Sequence, residues 1–454
     1  MEKIVYIVHC IDTEGPLYES LEATFERIKN TFGFELESSN KNIEELRKKK
    51  INLFGKEEAV ANFLDEDLLN NKSNWEEIRI MLDEITSKKF RDDLKDSFGN
   101  GWIYNWFCMD HVGFTGDNPR KRDMGFHKIF DYYIKYLKKQ GNEKDLIQWH
   151  FHPISIKKDA HRCGVNYFNS PILTEILARK IIDRKWFPSV FRPGFHTERP
   201  DSNWFLEQWI PFDYANQSIK GGDTNQSDLA KGLFGDWRKA PVEWKVYHPS
   251  YEDYQKEGNC RRWIARCLNM KARLRELNEE DVRDAFKRAQ LKKPTLLSFT
   301  NHDFRDMKKE INHVRDMIKK VSGEFPNIKF KFCNAIEAFR KVIGIQETKN
   351  PKFKIDFKRS EKGKIERIEI RCKKSIFGPQ PFFALKTKKG EYLWQNLDFF
   401  GKNQWAFTFD FNTIDFDECE KIGIAANSLD GTTEVVLINP PILTVEKKIY
   451  RYQN

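Results

Sequence analysis

The hydrophobic period of this chain changes once, and that change constrains its fold more than any other feature. Up to about residue 344, short apolar runs alternate with stretches patterned at three and four; beyond 350 the period is two. A strand covered on both faces reads as a continuous apolar run, whereas a strand with one wet face alternates. Two architectures must therefore follow one another. Length agrees, because 454 residues exceed the roughly 250–300 at which a single core stops growing. Two domains are expected, 1–344 and 350–454.

In the first region, residues 3–11 (KIVYIVHCI) form a nearly continuous apolar strand. GWIYNWFCMD (101–110), DLIQWHFHP (145–153), PSVFRPGF (188–195), FDYAN (212–216), EWKVYHPS (243–250), TLLSFTNHDFRDM (295–307) and IKFKFCN (328–334) read as further strands. Helical patterns separate them. In FHKIFDYYIKYLKK the apolar positions 126, 129, 130, 133, 134 and 137 make one face, and SPILTEILARKIIDRK opens on Ser170 and Pro171. A basic helical region is expected over 260–290, a surface loop at GGDTNQSD (221–228), a final helix at AIEAFRKVI, and a charged helical insertion over about 20–96. Strands that each lead into helix or long loop, with polar residues at their C-terminal ends, predict a distorted (β/α)7–8 barrel carrying that insertion. The seven runs beyond 350, from KFKIDFKR to TEVVLINP, predict a small all-β sandwich.

Composition removes several alternatives. No run of about 18 apolar residues exists, so no transmembrane helix is expected. The N-terminal MEKIVYIVHCID carries its acid too early for a secretory leader, which points to the cytoplasm. Eight cysteines without a CxxC pair indicate neither a zinc ribbon nor a disulfide framework, but reduced core thiols. The net charge of +10 is spread among interspersed acids and bases, so a nucleic-acid partner is not expected. Oligomeric state is not encoded in any of these features.

Chemistry concentrates at strand ends. His150 and His152, spaced i and i+2 and stopped by Pro153, leave one face of their strand, which is a metal-ligand geometry needing a further ligand from elsewhere. Asp12 and Glu14 have the same spacing at the end of the first strand, before the Gly15-Pro16 turn. Asp110 ends the second strand and His248 precedes a proline as His152 does; both are reserve ligands and, with Asp303, candidates for substrate contact. Arg192 emerges at the same edge, where its planar fork could orient a carboxylate or hold a substrate anion. His302, next to Asp303, closes the 295–302 strand.

In their order these motifs resemble the polysaccharide deacetylase (NodB-homology) superfamily, also called carbohydrate esterase family four, across residues 1–344. The resemblance implies a metal-dependent hydrolase, with a divalent ion, zinc by expectation, that removes an N-acyl group from an amino sugar in polysaccharide or lipopolysaccharide biosynthesis. It implies that Asp12 corresponds to the aspartate serving as general base, that His150 and His152 correspond to the ligand histidines, that Arg192 in Phe-Arg-Pro-Gly supports the base, and that His302 is the general acid. Thr13 stands where the family carries a ligand aspartate, and the two histidines are spaced by one residue instead of three. Either Glu14 supplies the missing ligand, or Asp12 binds metal and Glu14 is the base. Asp303 or Asp306 is expected to set the tautomer of His302. The alternative is a catalytically silent carbohydrate-binding or assembly protein on the same barrel.

Overall fold

The long apolar run near the N-terminus becomes β1 (Ile4–Thr13), the strand around which the parallel sheet is built. One edge pairs with β9 (Thr295–His302); the other pairs first with β10 (Lys329–Phe332) and then with β2 (Tyr104–Cys108). Beyond β2 follow β3 (Leu146–Phe151), β4 (Val190–Pro193) and β5 (Phe212–Asn216), all parallel. Two short strands, β7 (Trp263–Arg266) and β8 (Leu268–Asn269), are separated only by Cys267; β7 pairs with β5 and β8 with β9. β6 (Val246–Tyr247) adds antiparallel to β7. The result is a curled, half-barrel parallel sheet of ten strands. The structure, a computed structural model, describes all residues but 1, 163, 169, 171, 221–234, 273–275, 346–350, 441 and 452–454. The expected loop at 221–228, Pro171 and Cys163 lie outside the described residues.

Alternation along the strands sorts side chains between two apolar clusters, because successive residues point to opposite faces of a sheet. Val8, Cys10, Phe107, Val190, Tyr214, Cys267 and Leu296 share the inner face with the helix Ala335–Ile343. Ile7, Ile11, Trp106, Cys108, Trp149, Phe151 and Phe299 face outward onto the helices Lys128–Gln140, Ile172–Arg184 and Met307–Glu324. This parity decides which polar residues can reach the centre of the curl.

Residues 20–96 are helical, from Leu21–Phe32 to Lys88–Arg91, and the first part closes over its own small core of Phe25, Ile28, Leu46, Val60 and Leu64. Two expectations change here. Among the described residues of the region 260–290, helix runs from Glu279 to Gln290, where Asn278 and Asp281 form a reciprocal capping box; the first part is β7 and β8. Ile134, placed on the buried face of its helix by its spacing, is instead exposed, and Tyr136 is buried.

The C-terminal strands are β11 (Phe353–Arg359), β12 (Ile365–Cys372), β13 (Phe382–Thr387), β14 (Tyr392–Gln395), β15 (Asp398–Gly401), β16 (Gln404–Thr408), β17 (Cys419–Asn427), β18 (Thr433–Asn439) and β19 (Thr444–Tyr450). They form two antiparallel sheets, β11-β12-β16-β15 and β14-β13-β17-β18-β19. The run YLWQNLDFF therefore divides between the sheets. Phe383, Leu385, Ile422 and Ile424 face Ile368, Ile370 and Phe407 of the other sheet, whereas their neighbours Phe382, Ala384 and Ala425 join the core that includes Leu177 and Ile181. Gly423 lies so close to that helix that a Cβ would meet Ile181 Cγ2 at 2.5 Å. None of the described helices is long and apolar enough to cross a membrane, and the described cysteines are buried and free.

Candidate metal centre

At the C-terminal end of the parallel strands, inward parity selects Asp12 on β1, His150 on β3, Arg192 on β4 and His302 on β9, with Glu14 and His152 two residues further along their strands. Glu14, His150 and His152 form a buried group whose ligand atoms all lie within 4.8 Å of one another. The two Nε2 atoms are 2.9 Å apart, and Glu14 Oε1 lies 3.5 Å from that of His152 and 3.8 Å from that of His150. Ligands bonded to one tetrahedral ion at about 2.0–2.2 Å stand roughly 3.4 Å apart, so the donor set fits a divalent ion. Its protonation fits as well. His150 Nδ1 donates to the Arg192 carbonyl at 3.0 Å, which turns Nε2 toward the centre. Burial lowers the pKa of His152 despite the adjacent Glu14. Burial works to raise that of Glu14, but Arg122 and His152 outweigh it and hold the carboxyl well below its ordinary range.

Asp12 is oriented differently. Arg192 forks onto it, with Nε 2.5 Å from Oδ1 and Nη2 2.9 Å from Oδ2, while Nη1 donates to the Tyr214 carbonyl at 2.6 Å. Burial alone would raise the Asp12 pKa; the Arg192 guanidinium and His150 carry it below the usual carboxylate range. The geometry thus assigns Glu14 to the histidines and Asp12 to the arginine. His302 Nε2 stands across both, 3.6 Å from Glu14 Oε1 and 3.9 Å from Asp12 Oδ2. Burial, reinforced by Arg305, pushes the His302 pKa down to about 3.

Backbone features set this geometry. Gly194 admits the His152 ring, since a Cβ there would meet His152 Cδ2 at 2.0 Å. Phe195 and His196 follow with φ of 52° each, the sparsely populated left-handed region for such residues, and the Phe195 ring packs on His152 at 4.7 Å. The turn after β1 is pinned by Asp303, whose carboxylate accepts from the Glu14 and Gly15 N–H groups at 2.9 and 3.0 Å and from the Tyr133 hydroxyl at 2.8 Å. His111 Nε2 donates to the Glu14 carbonyl at 2.9 Å.

Three expected residues stand outside the group. Asp110 has outward parity and pairs with Lys180 Nζ at 2.9 Å in the helix layer. His248 lies beside the antiparallel edge, donating to the Arg262 carbonyl at 3.0 Å and stacking on Trp263. Asp303 also has outward parity and holds backbone. Neither it nor Asp306 sets the tautomer of His302, whose Nδ1 has no hydrogen-bond partner among the described residues; Asp306 caps the following helix. Sequence reasoning missed Arg122, whose Nη2 is 2.8 Å from Glu14 Oε2, and His196, whose Nδ1 is 3.3 Å from Arg192 Nη2. The signals were present, in the Arg-Lys-Arg of residues 120–122 and in the histidine directly after Pro-Gly-Phe. Comparison with protein families, with curated proteins and with solved structures returns no match.

Proposed function

We propose that this chain is a metal-dependent hydrolase of the polysaccharide-deacetylase type, which removes an N-acyl group, N-acetyl by preference, from an amino sugar or glycan precursor. What carries the reading is the convergence of the buried group Glu14, His150 and His152 with the buried Asp12–Arg192 pair and the half-buried His302. Two further proposals accompany it. The curled sheet is a (β/α) barrel closed by residues 263–269, supported by their pairing to β5 on one side and β9 on the other. Residues 1–344 and 350–454 are its two domains, the second a β sandwich, supported by the separate sheets on either side of residue 350.

A divalent ion, zinc by its nitrogen-rich donor set, would supply a water acidified toward a pKa of about 7 and a polarised amide carbonyl. The chain supplies the rest. Arg192 keeps Asp12 ionised and aimed, so that it accepts the proton of the attacking water. His302 enters as neutral imidazole and receives a proton across the 3.9 Å that separates it from Asp12 before passing it to the departing amine, a transfer that typically contributes about 10²–10⁴-fold. The test is hydrolysis of N-acetylated and N-formylated amino sugars by zinc-loaded protein. His302→Ala is expected to lower turnover about a hundredfold or more while retaining metal. Zinc-loaded protein that cleaves none of these amides, or a variant that cleaves at the parental rate, overturns the proposal.

A further inference from the structure

Beside the metal centre lies a group of arginines, of which the centre engages only Nη2 of Arg122. Arg122 is 8% exposed and Arg305 7%. Of the Arg122 donors, Nη2 meets Glu14, while Nε and Nη1 are buried with no hydrogen-bond partner among the described residues, as is Nε of Arg305; Nε of Arg120 faces Glu19 Oε2 at 3.7 Å without a hydrogen bond. Arg305 Nη1 donates to the Lys271 carbonyl at 2.9 Å, which fixes the direction of its plane. Arg27 and Arg120 share Glu19, at 2.5 and 3.7 Å, and their side chains keep 16% and 15% of their surface open, forming a rim to solvent. Arg122 lies over the Phe304 ring at 5.1 Å, and Phe304 packs on His302 at 4.8 Å.

Charge does not balance here. Four guanidinium groups meet Glu14, Glu19 and Glu310, and burial lifts the Glu310 carboxyl to about 7, so near neutral pH this third partner is only partly ionised. Burial together with the neighbouring Arg27 lowers even the Arg120 pKa, to about 9. A buried, unpaired donor costs about 1–3 kcal/mol, more when charged, and several donors in one place gain most from a ligand that presents acceptor oxygens. Guanidinium forks match carboxylate and phosphate oxygens.

We infer that Arg120, Arg122 and Arg305 form a subsite for an oxyanion, a carboxylate or phosphate carried by the molecule that is processed next to His302. The inference rests on the hydrolase reading for that molecule's identity and extends it from a neutral N-acylated amino sugar to an anionic one. The anion enters past Arg120, and its oxygens take the free Nε and Nη1 donors.

The test is calorimetric titration of the zinc-loaded full chain with inorganic phosphate and, separately, with acetate, at constant ionic strength; zinc affinity is measured on the same preparations. Saturable binding of at least one anion is expected, and the stronger of the two identifies phosphate or carboxylate as the natural group. Arg120→Gln and Arg305→Gln should each weaken it about tenfold or more, as loss of a charge-assisted hydrogen bond does, with zinc affinity unchanged, and Lys389→Gln in the C-terminal sheets should leave it intact. Should the buried Arg305 variant fail to fold, the rim variant Arg120→Gln carries the test. Zinc binding without saturable binding of either anion overturns the subsite and leaves the metal centre standing. Equal anion affinity in parent and arginine variants also overturns it. Arginine-dependent anion binding without zinc binding keeps the subsite and removes the hydrolase reading instead.

Discussion

His152 can face His150 only because residue 194 has no side chain. Gly194→Ala would force a methyl into the imidazole, and overpacking of this kind costs about 1–3 kcal/mol; urea unfolding should register that loss, and zinc affinity should fall with it. Parental stability and affinity would mean that the ring has room to turn. Asp303 acts one step further out, fixing the N–H groups of Glu14 and Gly15. Asp303→Asn puts a donor where acceptors are needed, and metal affinity should drop about 10–100-fold, the usual effect of losing a group that orients a ligand; an unchanged affinity would show that the β1 turn holds itself. Much of this site was legible in the sequence, because i and i+2 spacing at a strand end is enough to send two side chains to one face. What was not legible is which strands share that face. Asp110 and Asp303 sit at strand ends like Asp12 and Glu14, but the burial of Phe107 inward and Phe299 outward fixes them on the other side, and that follows from register between strands, not from any local pattern.

Among the elements, the insertion is tied to the sheet by a buried pair. Arg91, ending the last insertion helix, places Nη1 2.8 Å and Nη2 2.5 Å from the two oxygens of Asp145, which also accepts the Tyr104 N–H at 3.0 Å at the start of β2. Removing one partner of such a pair costs about 3–5 kcal/mol, since the other charge stays buried; Asp145→Ala should lower the unfolding midpoint accordingly, and a loss below about 1 kcal/mol would place the pair in the class of exposed ones. The same property explains the element misread from sequence. Arg262 and Arg266 are essentially unexposed, pairing with Glu198, Asp213 and Asp281. Their charges read as part of a basic helical region, while in the structure Arg262 precedes β7 and Arg266 ends it, both inside the fold.

For the whole molecule, linkage between proton binding and folding sets the pH range of stability. Asp12 and Glu14 are held below their unfolded values, so the stability they contribute is present above about pH 4 and is lost as pH falls toward their folded values. Glu310 works in the opposite direction: with its pKa raised to about 7, its burial costs nothing below about pH 4.3 and increasingly more up to 7, on the order of 3 kcal/mol in all. Glu310→Gln should therefore flatten the decline of stability between pH 5 and pH 8 measured by urea unfolding, and a variant with the parental slope would contradict that assignment. Whether the parallel sheet curls around a group that binds a metal ion is decided by metal analysis of the purified full chain after zinc loading and dialysis. The predicted result is about one zinc ion per chain in the parent, retained in His302→Ala and lost in His150→Ala. A parent chain that keeps no zinc, or a His150→Ala variant that keeps as much as the parent, would contradict it.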